Sequence, residues 1–172
     1  MKKFLPLLLL PLLAACHKDQ APTNQDTAPK AEFTFKRMTV NDMLKNMPVK
    51  TEGVSEQKGV KHRRYSINGL PTENTIEIVG NMDEDLESID GTCMEADAKG
   101  KKTGWPQGGI CEKVFRQLAT NSLKDADKIT AYMLKHSGLQ PLSDRGGYTA
   151  VQSGYYVLEV SSLGKFHLRR LR

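Results

Sequence analysis

The C-terminal stretch YTAVQSGYYVLEVSSLGKFHLRRL (148–171) constrains the fold more than any other part of the sequence. Apolar and polar residues alternate in it, and glycine-containing breaks divide it into three segments. Alternation with a period of two, interrupted by short breaks, predicts three antiparallel strands joined by tight turns. A three-residue loop at 162–164 sets a register that pairs Val160 with Phe166 and Leu158 with Leu168. The sequence therefore predicts a C-terminal three-stranded meander with one apolar face.

The other face of this meander is predicted to carry a polar row. The same register places Glu159 opposite His167, and a turn at Ser153-Gly154 places Tyr148 opposite Glu159. Such a row has the residue types of a general acid–base group. We interpret it instead as solvent-facing cross-strand pairs, since no nucleophile is identified beside it.

Residues 1–15 have the parts of an export signal. Two lysines precede the apolar run Phe4–Leu13, and two alanines end the segment. A helix of ten residues rises about 15 Å, roughly half of the hydrocarbon core of a bilayer. The run is therefore too short to be a transmembrane helix.

The stretch Leu13-Ala14-Ala15-Cys16 resembles the lipobox of bacterial lipoproteins at all four positions. The resemblance implies that the sulfur of Cys16 carries a diacylglycerol, that the leader is cut before this residue, and that the new amine is acylated. His17 follows the cysteine where an aspartate would retain the protein in the inner membrane, so the resemblance favours the outer membrane. We expect the domain to lie in the periplasm or at the cell surface, held almost permanently by its acyl chains.

Two cysteines, Cys93 and Cys111, remain in the mature chain. In an exported protein such a pair predicts a disulfide, and in the chain-entropy model a loop of this length contributes about 3 kcal/mol. The alternative is a metal or redox pair. The sequence has no CxxC and no histidine near either cysteine, so we predict a structural disulfide, with no metal site and no cofactor.

The composition allows one folded domain. Residues 16–32 are polar and contain Pro22 and Pro29, which predicts a disordered tether after the lipidated cysteine. The remaining residues, 33–172, suit a single domain. Without Lys2 and Lys3 the 25 basic residues become 23, against 20 acidic residues, a formal charge of +3. This charge is too small to indicate nucleic-acid binding.

Helices are predicted before and between the strands. A short helix capped by Thr39 or Asn41 precedes Pro48. A longer helix carries four residues on one face: Cys111, Val114, Phe115 and Leu118. A further helix is expected to begin at Ser122 as its N-cap and to end at Gly138. Its expected inner face is Ala126, Ile129, Met133 and His136. Two more strands are predicted in VKHRRYSING (60–69) and NTIEIVG (74–80).

The segment 81–98 holds seven acidic residues and no basic one. Met82, Leu86, Ile89 and Cys93 fall at helical spacing, but the alternation in LESIDGTCM also permits a strand; we slightly prefer the helix for residues 82–93. Alternating acids from Asp83 are similar to the start of a calcium-binding EF-hand loop. The glycine and the final glutamate that such a loop needs are absent, so an acidic solvated surface is the preferred interpretation.

Two basic groups are candidates for an interaction surface. The first group contains Lys61, Arg63 and Arg64, and the second contains His167, Arg169 and Arg170. If the strands that carry the two groups adjoin, the groups form a positive face. The alternative is ordinary solubilising charge. Trp105, in the glycine-rich GWPQGG, is either an exposed contact residue or folds back over the disulfide. The candidate surface residues are Lys61, Arg63, Arg64, Trp105, His167, Arg169 and Arg170.

Together these features predict an α+β domain: an antiparallel sheet with a C-terminal three-stranded meander, packed by one or two helices. We expect a non-catalytic, membrane-anchored lipoprotein that binds a protein partner of the cell envelope. One alternative is a carrier of a lipid or another small hydrophobic ligand. Another is an inhibitor or immunity protein that presents its acidic segment to a basic hydrolase such as lysozyme.

Overall fold

Nine strands and three helices make up the parts of the chain that the computed structural model describes, which are residues 27–96, 100, 102–137 and 148–171. The helices are α1 (Val40–Leu44), α2 (Ile110–Ser122) and α3 (Ala126–Ser137). The strands are β1 (Val49–Gln57), β2 (Val60–Ile67), β3 (Thr75–Val79), β4 (Ser88–Thr92), β5 (Glu95–Ala96), β6 (Lys102–Thr103), β7 (Tyr148–Ser153), β8 (Tyr156–Ser161) and β9 (Lys165–Arg170). The predicted α+β class is confirmed.

Seven strands form one antiparallel sheet in the order β1-β2-β3-β4-β9-β8-β7. The first four strands form a meander, the chain then makes α2 and α3, and the last three strands form the predicted C-terminal meander. The two meanders join where β4 pairs with β9. The short strands β5 and β6 pair with each other in a separate two-stranded sheet.

The core lies between one face of the sheet and the helices. Phe166 on β9, Phe115 on α2 and Leu158 on β8 have no exposed surface, and the rings of Phe115 and Phe166 lie 6.1 Å apart. The four predicted inner residues of α2 are all buried. On α3 the predicted Ile129 and Met133 are buried. Because strand side chains alternate between faces, the outer sheet face receives the polar residues of the same strands.

The register of the second C-terminal hairpin is confirmed. Val160 pairs with Phe166, Leu158 with Leu168, and Glu159 with His167. The predicted register of the first hairpin is wrong by two positions, because Ser153 pairs with Tyr156. The two-residue loop is therefore Gly154-Tyr155, with Gly154 at φ +56°, rather than Ser153-Gly154. A glycine at the first loop position adopts positive φ without strain.

The slight preference for a helix over residues 82–93 is wrong, because Ser88–Thr92 forms strand β4. This strand is flanked by β3 and β9, so the sheet satisfies its backbone groups on both sides. Ile89 and Gly91 face the core. The apolar residues of this segment fall at helical spacing by chance, and the alternation of the strand is the pattern that the fold uses.

The predicted start of the last helix is also wrong. Ser122 is the final residue of α2, is buried, and donates from Oγ to the backbone oxygen of Leu118 at 2.5 Å. α3 begins four residues later, at Ala126. The predicted helix end at Gly138 lies outside the described residues. By contrast, the predicted cap of the first helix is confirmed, since Oγ1 of Thr39 accepts from the backbone N–H of Asp42.

The packed domain begins earlier than the predicted boundary at residue 33. Ala31 is buried, and the backbone oxygen of Glu32 accepts from the N–H of Lys124 at 2.9 Å. Phe33 and Phe35 then pack their rings on Tyr156 of β8. The end of the predicted tether is thus part of the folded domain.

Candidate functional site

The sheet face opposite the helices, here called the open face, carries polar side chains from all seven strands. In register across it lies a central row of five charged or ionisable residues, one each from β2, β3, β4, β9 and β8: Arg64, Glu77, Asp90, His167 and Glu159.

His167 lies at the middle of a hydrogen-bonded chain on the open face. Its Nδ1 is 2.5 Å from Oδ1 of Asp90, and its Nε2 is 3.1 Å from the hydroxyl of Tyr148. Ser88 donates to the other carboxylate oxygen of Asp90 at 2.6 Å. With neutral His167, Nδ1–H donates to the carboxylate and Nε2 accepts from the tyrosine hydroxyl. This network fixes the ring orientation of His167.

Two further pairs flank this chain. The guanidinium of Arg169 donates twice to the carboxylate of Glu159, at 3.1 and 3.2 Å. On the opposite side, Nδ1 of His62 lies 3.1 Å from Oε1 of Glu77. His62 and Glu77 also line a cavity of about 290 Å³ that reaches the edge strand β1. Each carboxylate of the central row therefore has a basic neighbour.

The predicted row of Tyr148, Glu159 and His167 is only partly formed. Tyr148 lies opposite Ser161 rather than Glu159, but its hydroxyl reaches His167 diagonally. Asp90, not Glu159, is the carboxylate that bonds to the histidine. Asp90 is not predicted in this role from the sequence, because β4 and β9 lie far apart in the chain.

The premise of a single positive face is wrong, because β2 and β9 do not adjoin. β3 and β4 lie between them and contribute Glu77 and Asp90 to the open face. Of the seven candidate surface residues, three lie on the open face: Arg64, His167 and Arg169. By strand alternation Lys61, Arg63 and Arg170 point to the helix side.

Arg63 is a buried structural cation rather than a surface contact. Only 8% of the residue is exposed, and Nη1 donates to the backbone oxygen of Gly80 at 2.7 Å. Nη2 pairs with the carboxylate of Asp83. Two residues further along the same acidic segment, Asp85 pairs with Arg170 at 3.1 Å. Two of the acids proposed as an inhibitory surface are thus already paired with arginines.

Trp105 is half-buried at the edge of the core. Its Nε1–H donates to the backbone oxygen of Ser161 at 2.6 Å, and its ring lies 5.3 Å from that of Phe115. The two predicted alternatives were an exposed contact residue and a ring folded over the disulfide; the structure instead packs the ring on Phe115 and Phe166 of the core.

We expect Trp105→Phe to lower the free energy of unfolding by about 1 kcal/mol, because the aromatic packing remains while one hydrogen bond is lost. Urea unfolding followed by circular dichroism measures the change. Wild-type stability in the variant would contradict a structural role for the indole N–H.

The two acidic groups that flank His167 in the hydrogen-bonded chain, Asp90 and Tyr148, have pKa values shifted in opposite directions. Burial raises the pKa of Asp90, but hydrogen bonds from His167 and Ser88, with the charges of His167 and Arg169, outweigh it and leave the pKa below its ordinary value. Burial raises the pKa of Tyr148, and the carboxylates of Glu159 and Asp90 raise it further. Tyr148 therefore remains protonated at neutral pH and is a weak nucleophile, so the chain holds and orients His167 rather than activating a hydroxyl.

We expect Asp90→Asn to change the acid dependence of stability. Since folding lowers the pKa of Asp90, its carboxylate stabilises the fold above the ordinary aspartate pKa of about 3.9. This contribution is lost as the pH falls through the folded-state pKa. The stability difference between wild type and variant should be largest near pH 6 and shrink below about pH 4. Urea unfolding at several pH values tests this, and a pH-independent difference would refute it.

Cys16 and the leader lie outside the described residues, so the lipidation site stays a prediction. Cys93 and Cys111 form the predicted disulfide. No helix in the described parts of the chain is long and apolar enough to cross a membrane. In those same parts, no group of three or more His, Cys, Asp and Glu side chains is placed to hold a metal ion.

Comparisons of the chain with protein-family models, with curated proteins and with solved structures give no match.

Proposed function

We propose that this chain is a lipid-anchored, non-catalytic protein of the cell envelope whose domain binds a protein partner through the open face. The observation that supports this most is the one-sided covering of the sheet. Among residues 27–96, 100, 102–137 and 148–171, α2 and α3 pack on one face, while the other presents half-exposed and exposed polar side chains from seven strands.

The size of the open face suits a protein partner. Seven strands about 4.8 Å apart span roughly 30 Å, and five-residue strands extend about 17 Å. This is of the same order as the surface of about 800 Å² that each partner contributes to a standard interface. Ion pairs such as Arg169–Glu159 hold the side chains in place, so fewer rotamers must be ordered when a partner docks.

The anchor is proposed from the sequence alone. Lipidated Cys16 in the outer membrane keeps the domain within reach of other envelope proteins. Anchoring also raises the effective concentration of the domain near a membrane-bound partner.

The test is a quantitative pull-down of the lipidated protein from gently solubilised membranes. A Cys16→Ala form, exported by a cleavable leader, separates domain binding from membrane placement. A charge reversal on the open face, Arg64→Glu with Lys165→Glu, tests the surface. Its matched control is Lys113→Glu with Lys128→Glu, since these lysines are exposed on the helices and the charge change is identical.

A stoichiometric protein that is lost with the open-face variant and kept with the helix variant supports the proposal. Equal capture by both variants places the interface elsewhere and overturns the role of the open face. If no form retains a protein, ligand carriage becomes the better hypothesis, and extraction of bound lipids or hydrophobic molecules follows. Loss of capture on charge reversal at Asp83, Asp85 and Glu87 alone, in a variant that keeps the wild-type circular dichroism spectrum, would instead favour the inhibitor alternative.

A further inference from the structure

We propose that the open face docks an acidic segment of the protein partner, and that protonation of His62 and His167 strengthens this docking. The proposal rests on the protein-binding function proposed above and specifies the partner's charge and its regulation. It is built on two histidine–carboxylate pairs that share one sheet face.

The two histidine–carboxylate pairs are adjacent through their carboxylates. Glu77 on β3 lies directly opposite Asp90 on β4, so two carboxylates are cross-strand neighbours. Each of them contacts a histidine Nδ1 on its outer side, His62 at 3.1 Å and His167 at 2.5 Å. Like charges placed opposite each other are unfavourable in a sheet. A proton on either histidine therefore lies beside a carboxylate.

Other charged groups face both histidines. Around His62 they are Arg64 on the same strand, Glu77 on β3 and Glu52 on β1. Around His167 they come from four strands: Asp90 on β4, Lys165 and Arg169 on β9, Glu159 on β8 and Tyr148 on β7.

The balance of charge on the open face is close to neutral before the histidines are protonated. Its outward-facing cations are Lys50, Arg64, Lys165 and Arg169, and its carboxylates are Glu52, Glu77, Asp90 and Glu159. Histidine is the side chain whose charge ordinarily changes between pH 5 and 8. Two protons turn an even balance of cations and carboxylates into an excess of two cations. On His167 the new Nε2–H donates to the Tyr148 oxygen, so the ring keeps its place.

Charge complementarity then selects an acidic partner. A protein is favoured over the membrane because the open face has the extent of a standard protein interface. The described chain begins on the helix side of the sheet, where Thr27–Pro29 line a cavity with Lys128 and Tyr132 on α3.

The experiment measures binding of fluorescent poly-L-aspartate of about 20 residues to the full lipidated protein in non-ionic detergent. Binding is compared at pH 5.5 and pH 7.5 at constant ionic strength. We expect roughly fivefold tighter binding at pH 5.5, from two added surface charges. The double variant His62→Gln with His167→Gln should lose this gain. His136→Gln, on α3, controls for histidine protonation elsewhere and should keep it.

An equal gain in the double variant, or no binding of poly-L-aspartate at either pH, overturns the proposal. So does pH-dependent binding to vesicles of anionic and zwitterionic lipid in the absence of polyaspartate binding, which would assign the face to a lipid surface.

If the double variant does not fold, NMR titration of the histidine rings in the wild-type protein tests the proposal instead. If both rings keep the same charge from pH 5.5 to pH 7.5, the proposed pH dependence of docking is refuted. Partner capture that depends on the open face but not on pH would leave the proposed function standing and remove this inference alone.

Discussion

Gly91→Ala is expected to lower the free energy of unfolding by about 3 kcal/mol, and Gly91→Val to prevent stable folding. Gly91 faces the core from β4 and pairs with Phe166 of β9. The ring of Phe166 lies across the glycine, so an added Cβ would stand 1.9 Å from the ring Cζ. Phe166 is fully buried and its ring is held by Phe115 and Trp105. Because the ring has no free space, the strands must shift apart.

The measurement is urea unfolding with the disulfide intact, followed by the fluorescence of Trp105. Gly53→Ala is the matched control, since Gly53 is also in a strand but an added Cβ there has no atom within 4 Å. It should change stability by less than about 0.5 kcal/mol. Combining Gly91→Ala with Phe166→Leu should cost less than the sum of the two single changes, because the smaller side chain relieves the overlap. Additive losses would show that the ring is not the cause.

Local sequence patterns predicted those elements whose neighbours in space are also neighbours in the chain. The hairpin from β8 to β9 closes over a short loop, so alternation and one glycine determine its register. α2 was predicted because its buried face follows a helical period without a competing strand pattern. The first hairpin shows how sensitive such reasoning is, since moving the loop by one residue moved the register by two.

The segment that became β4 was ambiguous because its two possible structures depend on distant partners. Ile89 fits either a helical or a strand period. Pairing with β3 and β9 on either side favours the strand. β9 lies more than 70 residues further along the chain, as the contact of Asp90 with His167 shows. No local pattern contains that pairing. The same reason explains why sequence analysis named Glu159 rather than Asp90 as the partner of His167.

Arg63 was misplaced, and Trp105 was left open between two positions, for a different reason. Arginine and tryptophan are enriched in interfaces, but both also occur where a long side chain reaches a buried acceptor. The acceptors here are backbone oxygens, at Gly80 and Ser161. Backbone acceptors leave no trace in the sequence, because every residue has one.

Removal of the Cys93–Cys111 disulfide is expected to lower the free energy of unfolding by about 3 kcal/mol. The bond closes a loop of sequence separation 18, which contains four glycines and so has many conformations when unfolded. Both cysteines are fully buried, and they connect the end of β4 to the first turn of α2. The bond therefore ties the sheet to the helix layer across the core. The Cys93→Ala/Cys111→Ala double variant, which buries no new polar group, is compared with wild type by urea unfolding under oxidising conditions.

Chemical reduction of the disulfide and mutation of its cysteines should lower the free energy of unfolding by the same amount. Wild type in excess dithiothreitol should approach the stability of the double variant, while the double variant should not respond to dithiothreitol. The two single variants should each lose nearly as much as the double one, because either change breaks the same bond. A double variant as stable as wild type would mean that this loop is already restricted when the chain is unfolded, and that the helix layer is held to the sheet by packing around Phe115 and Phe166 alone.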